Sequence, residues 1–262
     1  MSFRFNWALA CAGFALALWA CGSDDENAKE GQGGSSGSGG SGGQDPGKTV
    51  RLGATFLDYL SKNPIEGLEV CTLEPPGRDP GCAKTIATGQ IVADGFPTHF
   101  EVLFKLSKDD YLTTLIPAVT GEQDDTASVL YPVTASGAKL LFSTASLTME
   151  PGKGAISFIA DQSKPGESKE AGGQEGVGVT ISPSSGTLAY LNGVTLDTNA
   201  TATFASGLGV FVNVDPGEYT LTFSHASKTC ASRLGWSTAQ SNVSKIPVKA
   251  DMITYVLHQC GQ

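Results

Sequence analysis

The sequence is short of charge and of the residues that carry most chemistry. Asp, Glu, Lys and Arg make up 16% of its 262 residues, against about a quarter in an ordinary soluble domain. It holds 3 His, 3 Met and 3 Trp. No two cysteines stand in CxxC spacing, and no His-x-x-Glu pair exists, since Glu101 follows His99 one residue too soon. These absences argue against a zinc site and against the catalytic half of a zinc carboxypeptidase. Basic residues are scarce too: 17 Lys and Arg face 26 Asp and Glu, for a formal net charge of -9. A nucleic-acid binder presents a basic face, so nucleic acid is not an expected partner. No apolar run reaches the ~20 residues of a membrane-spanning helix.

What remains is a chain able to bury a core. Hydrophobic residues make up 40%, punctuated by 33 Gly and 13 Pro. The length suits one large domain or two small ones.

The N-terminus sets the compartment. Arg4 precedes an apolar run from Trp7 to Ala20, the proportions of a secretory signal peptide over residues 1–20. The run ends Leu18-Trp19-Ala20-Cys21 and turns polar at Gly22. This resembles the lipobox of bacterial lipoproteins, and the resemblance implies that Cys21 is lipidated. Acylation at Cys21 would anchor the chain stably, because more than one acyl chain is attached. The expected location is exported and membrane-bound through that lipid, in the outer membrane rather than the inner, facing periplasm or surface. Residues 21–48 then read as a flexible tether, for Gly31 to Gly43 contains only Gly, Ser and one Gln.

That tether breeds false motifs. Gly42 to Thr49 satisfies the Walker A pattern, yet Gly/Ser linker precedes it and a strand-like Val50–Phe56 follows. A P-loop needs a buried strand before and a helix after. No nucleotide and no cofactor are expected.

From Thr49 onward, short apolar runs broken by Gly, Pro, Asn and Asp predict an all-β fold. Strand candidates include Val50–Leu57, Leu68–Cys71, Thr98–Leu106, Ala155–Ala160, Val210–Val214, Tyr219–His225 and Met252–His258. One helix is expected from Ala135 to about Leu147, capped by Thr134. It reads as a bridge over 134–151 between two antiparallel β-sandwich modules, 49–133 and 152–262. Asp161 to Glu175 has no apolar content apart from Ala171 and reads as an exposed loop.

The two halves look faintly repeated. Gly53-Ala54-Thr55-Phe56-Leu57-Asp58 is matched by Gly154 to Asp161, and Pro64 to Val70 by Gly176 to Ile181. Asp215-Pro216-Gly217-Glu218-Tyr219 then supplies a turn and an outgoing strand. At these residues the chain resembles carboxypeptidase-regulatory-like domains, which are prealbumin-like, Ig-like sandwiches. The match is fullest from Gly154 to Leu257. The resemblance implies a carbohydrate-binding-like module that is accessory or adhesive rather than catalytic.

With Cys11 in the signal peptide and Cys21 acylated, Cys71, Cys82, Cys230 and Cys260 remain. An even count in an exported chain implies disulfides, and pairing within modules gives Cys71–Cys82 and Cys230–Cys260. His225 and His258 read as surface or packing residues. Asp109-Asp110 and Asp124-Asp125 read as solvated turns, since calcium needs a cage of several oxygens. No metal and no catalytic residue are assigned.

Aromatics are the remaining handle on ligands. Trp236, in a loop after Cys230, could stack on a sugar face or could plug the end of a sandwich; Tyr190 and Tyr111 are weaker candidates. Two readings of function therefore stay open. A glycan binder would show a pocket or a flat aromatic platform at Trp236. A scaffold or protein-interaction lipoprotein would show an apolar patch or a free sheet edge instead.

Overall fold

A computed structural model describes residues 47–74, 81–167 and 172–261. The expected signal peptide, Cys21 and the tether as far as Pro46 lie outside them. Among the described residues, no helix is long and apolar enough to cross a membrane.

The fold is all-β with one short helix. In chain order the strands of the first half are β1 (Thr49–Phe56), β2 (Glu69–Glu74), β3 (Cys82–Lys84), β4 (Gln90–Pro97), β5 (Glu101–Ser107), β6 (Thr114–Val119) and β7 (Asp125–Leu130). Helix α1 (Ala135–Ser143) follows. The second half holds β8 (Gly154–Asp161), β9 (Gly178–Ser182), β10 (Thr187–Asn192), β11 (Thr195–Asp197), β12 (Leu208–Val214), β13 (Gly217–Ser224), β14 (Ala231–Leu234), β15 (Val243–Val248) and β16 (Ile253–Gln259).

Ten strands form one sheet, in the order β11-β10-β12-β8-β16-β14-β6-β5-β2-β3. The expected boundary at 134–151 does not interrupt it: β16 pairs in parallel with both β8 and β6, and so joins the halves. Two three-stranded sheets, β4-β1-β7 and β15-β13-β9, complete the set.

Alternation along the strands decides the layering. On β8, Ile156, Phe158 and Ala160 face one core, with Tyr190, Phe211, Leu221, Phe223 and Ile246. Ala155 of the same strand joins Ala189, Leu191, Val210 and Val212 beneath Ala138 and Phe142 of α1. Side chains on a strand point alternately to opposite faces, so this part of the sheet is buried on both. The sheet β15-β13-β9 covers one side and α1 the other. A second core lies under β1 and β4, where Val50, Phe56 and Phe96 meet Val102, Leu106 and Ile116. Leu234, Tyr255 and Leu257 from the second half belong to this core as well.

Helix α1 is shorter than expected, ending at Ser143. Thr134 does cap it, accepting from the Gly137 N–H at 3.0 Å. Thr144 Oγ1 then donates to the Leu141 carbonyl at 2.7 Å, a local bond that competes with helix continuation.

The Asp161–Glu175 segment is not wholly exposed. Asp161, Ser163 and Gln174 are buried. Their polar groups find partners: Asp161 Oδ1 accepts from the Ser163 N–H at 2.8 Å, and Ser163 Oγ accepts from Gln259 Nε2 at 2.9 Å. A run without apolar residues can pack inward when each polar group finds such a partner.

Candidate functional site

The two disulfides close within each half, Cys71 to Cys82 and Cys230 to Cys260. Cross-links of this kind stabilise a fold by restricting the unfolded chain.

The aromatic candidates do not form a platform. Trp236 is 6% exposed and packs among Leu103 and Leu115. Its Nε1–H donates to the Val102 carbonyl at 3.0 Å. Its backbone pairs with Lys245, which holds the loop against β15. Trp236 therefore plugs the layer edge and has no face for a sugar. Tyr190 is fully buried, and its hydroxyl accepts from the Val179 N–H at 3.0 Å. Tyr111 is half-buried and donates to Asp58 Oδ2 at 3.0 Å. Burial, then that carboxylate, pushes the Tyr111 phenol up to about 12. The three residues sit apart, in separate clusters, and burial leaves Trp236 and Tyr190 no open ring face.

The structure opens elsewhere. A cleft of about 580 Å3 lies between the sheet β4-β1-β7 and the large sheet. The three-stranded sheet is narrower than the one it faces. Leu52, Ala54 and Ile91 line one wall, and Phe104, Ala118 and Leu234 the other. A volume of this size is in the range of ligand pockets.

One cation enters it. The Arg233 side chain, 8% exposed, reaches from β14 toward β7. Its Nη2 donates to Ser128 Oγ at 3.0 Å and lies 3.7 Å from Asp125 Oδ1. A guanidinium this buried keeps its geometry only with such partners. At the far end Gln259 fixes the wall: its Oε1 accepts from the Gly166 N–H at 2.9 Å, and its Nε2 donates to Ser163 Oγ at 2.9 Å.

Carboxylates gather at the mouth: Glu122, Asp124, Asp125 and Glu167. Asp124 takes the Arg51 N–H and Nε–H, each at 2.8 Å, which lowers its pKa from the ordinary aspartate value. Glu122 contacts His99 and Lys48, and the His99 hydrogen bond lowers its pKa. Among the described residues, no group of three or more His, Cys, Asp and Glu is placed to hold a metal ion.

A polar relay leads inward from the cleft wall. Ser244 Oγ donates to Ser232 Oγ at 2.6 Å and lies 2.7 Å from His258 Nε2. Burial holds His258 down at about 3. An imidazole with so little proton affinity is a poor general base near neutrality. The relay is an internal hydrogen-bond network.

Sequence reasoning missed this site for a specific reason. Its edges, β7 and β14, carry Asp-Thr-Ala-Ser and Ala-Ser-Arg-Leu, which lack the β-branched runs that mark strands.

No protein-family model matches the chain, and no curated protein matches it. Solved structures with some likeness include GBS52, the minor pilin of Streptococcus agalactiae, at 13% identity over 81% of this chain and 97% of that one, with a TM-score of 0.26. The shaft pilin SpaA from Lactobacillus rhamnosus GG shows 11% identity over 82% and 98%, with a TM-score of 0.23. The Bacillus anthracis TIE protein shows 12% identity over 81% of this chain, which spans 34% of that one, with a TM-score of 0.26. At these scores the fold rests on the chain's own strand pairing.

Proposed function

We propose that this chain is an exported, non-catalytic binding protein, anchored through lipid on Cys21 and held off the membrane by its Gly/Ser tether. Its working surface is the cleft between β7 and β14, and its partner is another envelope or surface protein rather than a glycan. One observation carries the choice: an apolar cleft of about 580 Å3 opens beside a sheet edge, while Trp236 and Tyr190 are buried.

The prealbumin-like resemblance supports the reading, since accessory modules of that kind bind rather than catalyse. The acidic net charge fits an exported chain that avoids nucleic acid.

Two measurements test the proposal. Metabolic labelling with palmitate should mark the wild-type chain and not Cys21→Ser. The purified full chain in detergent should bind the apolar dye anilinonaphthalene sulfonate, and Ala54→Phe should block it by filling the cleft. Dye binding unchanged in Ala54→Phe would overturn the assignment of the cleft. Retention on purified envelope polysaccharides would overturn the preference for a protein partner.

A further inference from the structure

We infer that β7 is a docking edge: an extended segment of a partner protein adds to it as a fourth strand and fills the cleft beneath. This deepens the proposed function and rests on its reading of the cleft.

The backbone comes first. β7 pairs in parallel with β1 on one side, and the sheet order β4-β1-β7 leaves its other side as an edge. The Leu130 carbonyl accepts from the Leu57 N–H at 2.9 Å. In a parallel pair, alternate residues bond to the neighbour. Ser128 and Leu130 therefore point their backbone groups at β1, and Ala127 and Val129 point theirs away. Only another backbone offers a matching ladder.

The cleft lies where that strand's side chains would go. Ser128 and Leu130 of β7 face it on one side, and Ser232 and Leu234 of β14 on the other. A strand beside β7 would lie over β14, with every second side chain pointing down. A six-residue strand spans ~20 Å and sends three side chains into the gap. A void of ~150 Å3 holds one benzene-sized group, so about 580 Å3 suits three or four apolar side chains.

Charge chooses the outer residues. At and beside the mouth stand Asp94, Glu122, Asp124, Asp125 and Glu167 against the permanent cations Lys48, Arg51 and Arg233. Negative charge predominates, so Lys or Arg between the apolar positions complements it.

The edges of the large sheet are poorer. β3 and β11, which end the large sheet, are three residues each. Short edges are weak templates. The chain's own tether is a poor occupant as well, since residues 22–46 contain Ala28 and Pro46 as their few apolar side chains, with Gly and Ser dominating.

The test uses the full chain in detergent and an end-capped octapeptide of alternating Val and Lys. Hydrogen exchange at the Ala127 and Val129 amides is the readout, because a merely apolar contact does not protect them. The peptide should slow exchange at both by about tenfold or more at saturation. The same peptide N-methylated at alternate backbone nitrogens should bind at least ~10-fold more weakly, and so should a Val/Glu peptide. Ala127→Pro places proline on the open side of an edge strand, where it is tolerated, and should lose peptide while keeping dye. Peptide that displaces the dye without protecting those amides would overturn strand addition and leave the cleft reading intact. Dye binding with no peptide binding would do the same. Failure of both dye and peptide would overturn both.

Discussion

The imidazole of His258 lies flat on the ring of Phe223, with centroids 3.7 Å apart and planes within 10°. His258 is fully buried in β16, and Ser244 is its hydrogen-bond partner. Burial holds its pKa near 3, against 6.5 for a free side chain. Between those values the unfolded chain binds a proton that the folded chain refuses. Stability is therefore complete above about pH 6.5 and falls as pH drops toward about 3, by up to ~1.4 kcal/mol per pH unit. Urea midpoints between pH 7 and 5 should show the fall, and His258→Phe should flatten it. Carboxylates held low, such as Asp124 and Asp215, act at lower pH and in both proteins alike. Equal slopes in the two proteins over this range would refute the assignment.

Trp236 offers a second check. It is the sole tryptophan among the described residues, buried, with Nε1–H on the Val102 carbonyl. Trp236→Phe keeps a ring but leaves that carbonyl unmet, which should cost about 1–3 kcal/mol. Trp236→Ala should cost about 3–5 kcal/mol through the cavity it leaves. Denaturant melts measure both. A loss below half a kcal/mol in the alanine variant would mean the ring does not plug the layer.

The disulfides should differ in two ways. Cys230–Cys260 closes a separation of 30 residues and is buried, whereas Cys71–Cys82 closes 11 and Cys82 is exposed. Loop entropy gives about 3.6 kcal/mol for the longer and ~2.8 kcal/mol for the shorter. Replacing Cys230 and Cys260 together by alanine should therefore lower stability more than replacing Cys71 and Cys82. Mild reduction should open Cys71–Cys82 first, read by alkylation and mass spectrometry. The reverse order of opening would show that exposure does not govern access here.

How much was legible depended on side-chain type. The all-β class, the Thr134 cap and both cysteine pairings follow from local signals such as turn residues and cysteine count. Strands with apolar alternation, such as Gly154–Asp161 and Gly217–Ser224, were readable within a residue or two. β7 was not, because Asp124-Asp125 reads as a turn and its apolar residues are few. Its place is set by Arg51 on Asp124 and by pairing with β1, both of them long-range. The cleft was invisible for the same reason: it arises from two sheets of unequal width. Trp236 carried two readings in sequence, and only the position of Val102 separates them.

Gly207 and Gly193 share a backbone conformation and differ in surroundings, which isolates the effect of crowding. Gly207 has φ +66°, and a Cβ there would lie 2.1 Å from the Ala160 carbonyl oxygen. Gly193 has φ +62° in the β10–β11 hairpin, with nothing within 4 Å of such a Cβ. Alanine at either site pays the left-handed penalty of about 1–2 kcal/mol. At Gly207 the added methyl also meets backbone that is doubly committed, since Ala160 donates to the Gly207 carbonyl and accepts from the Gln174 N–H. Neither bond can lengthen without opening the other. Gly207→Ala should therefore cost at least ~2 kcal/mol more than Gly193→Ala. Thermal or urea melts of the two variants give the difference directly. Equal losses would mean that the crossing of residues 160, 174 and 207 relaxes freely and does not hold the loop after β8 in place.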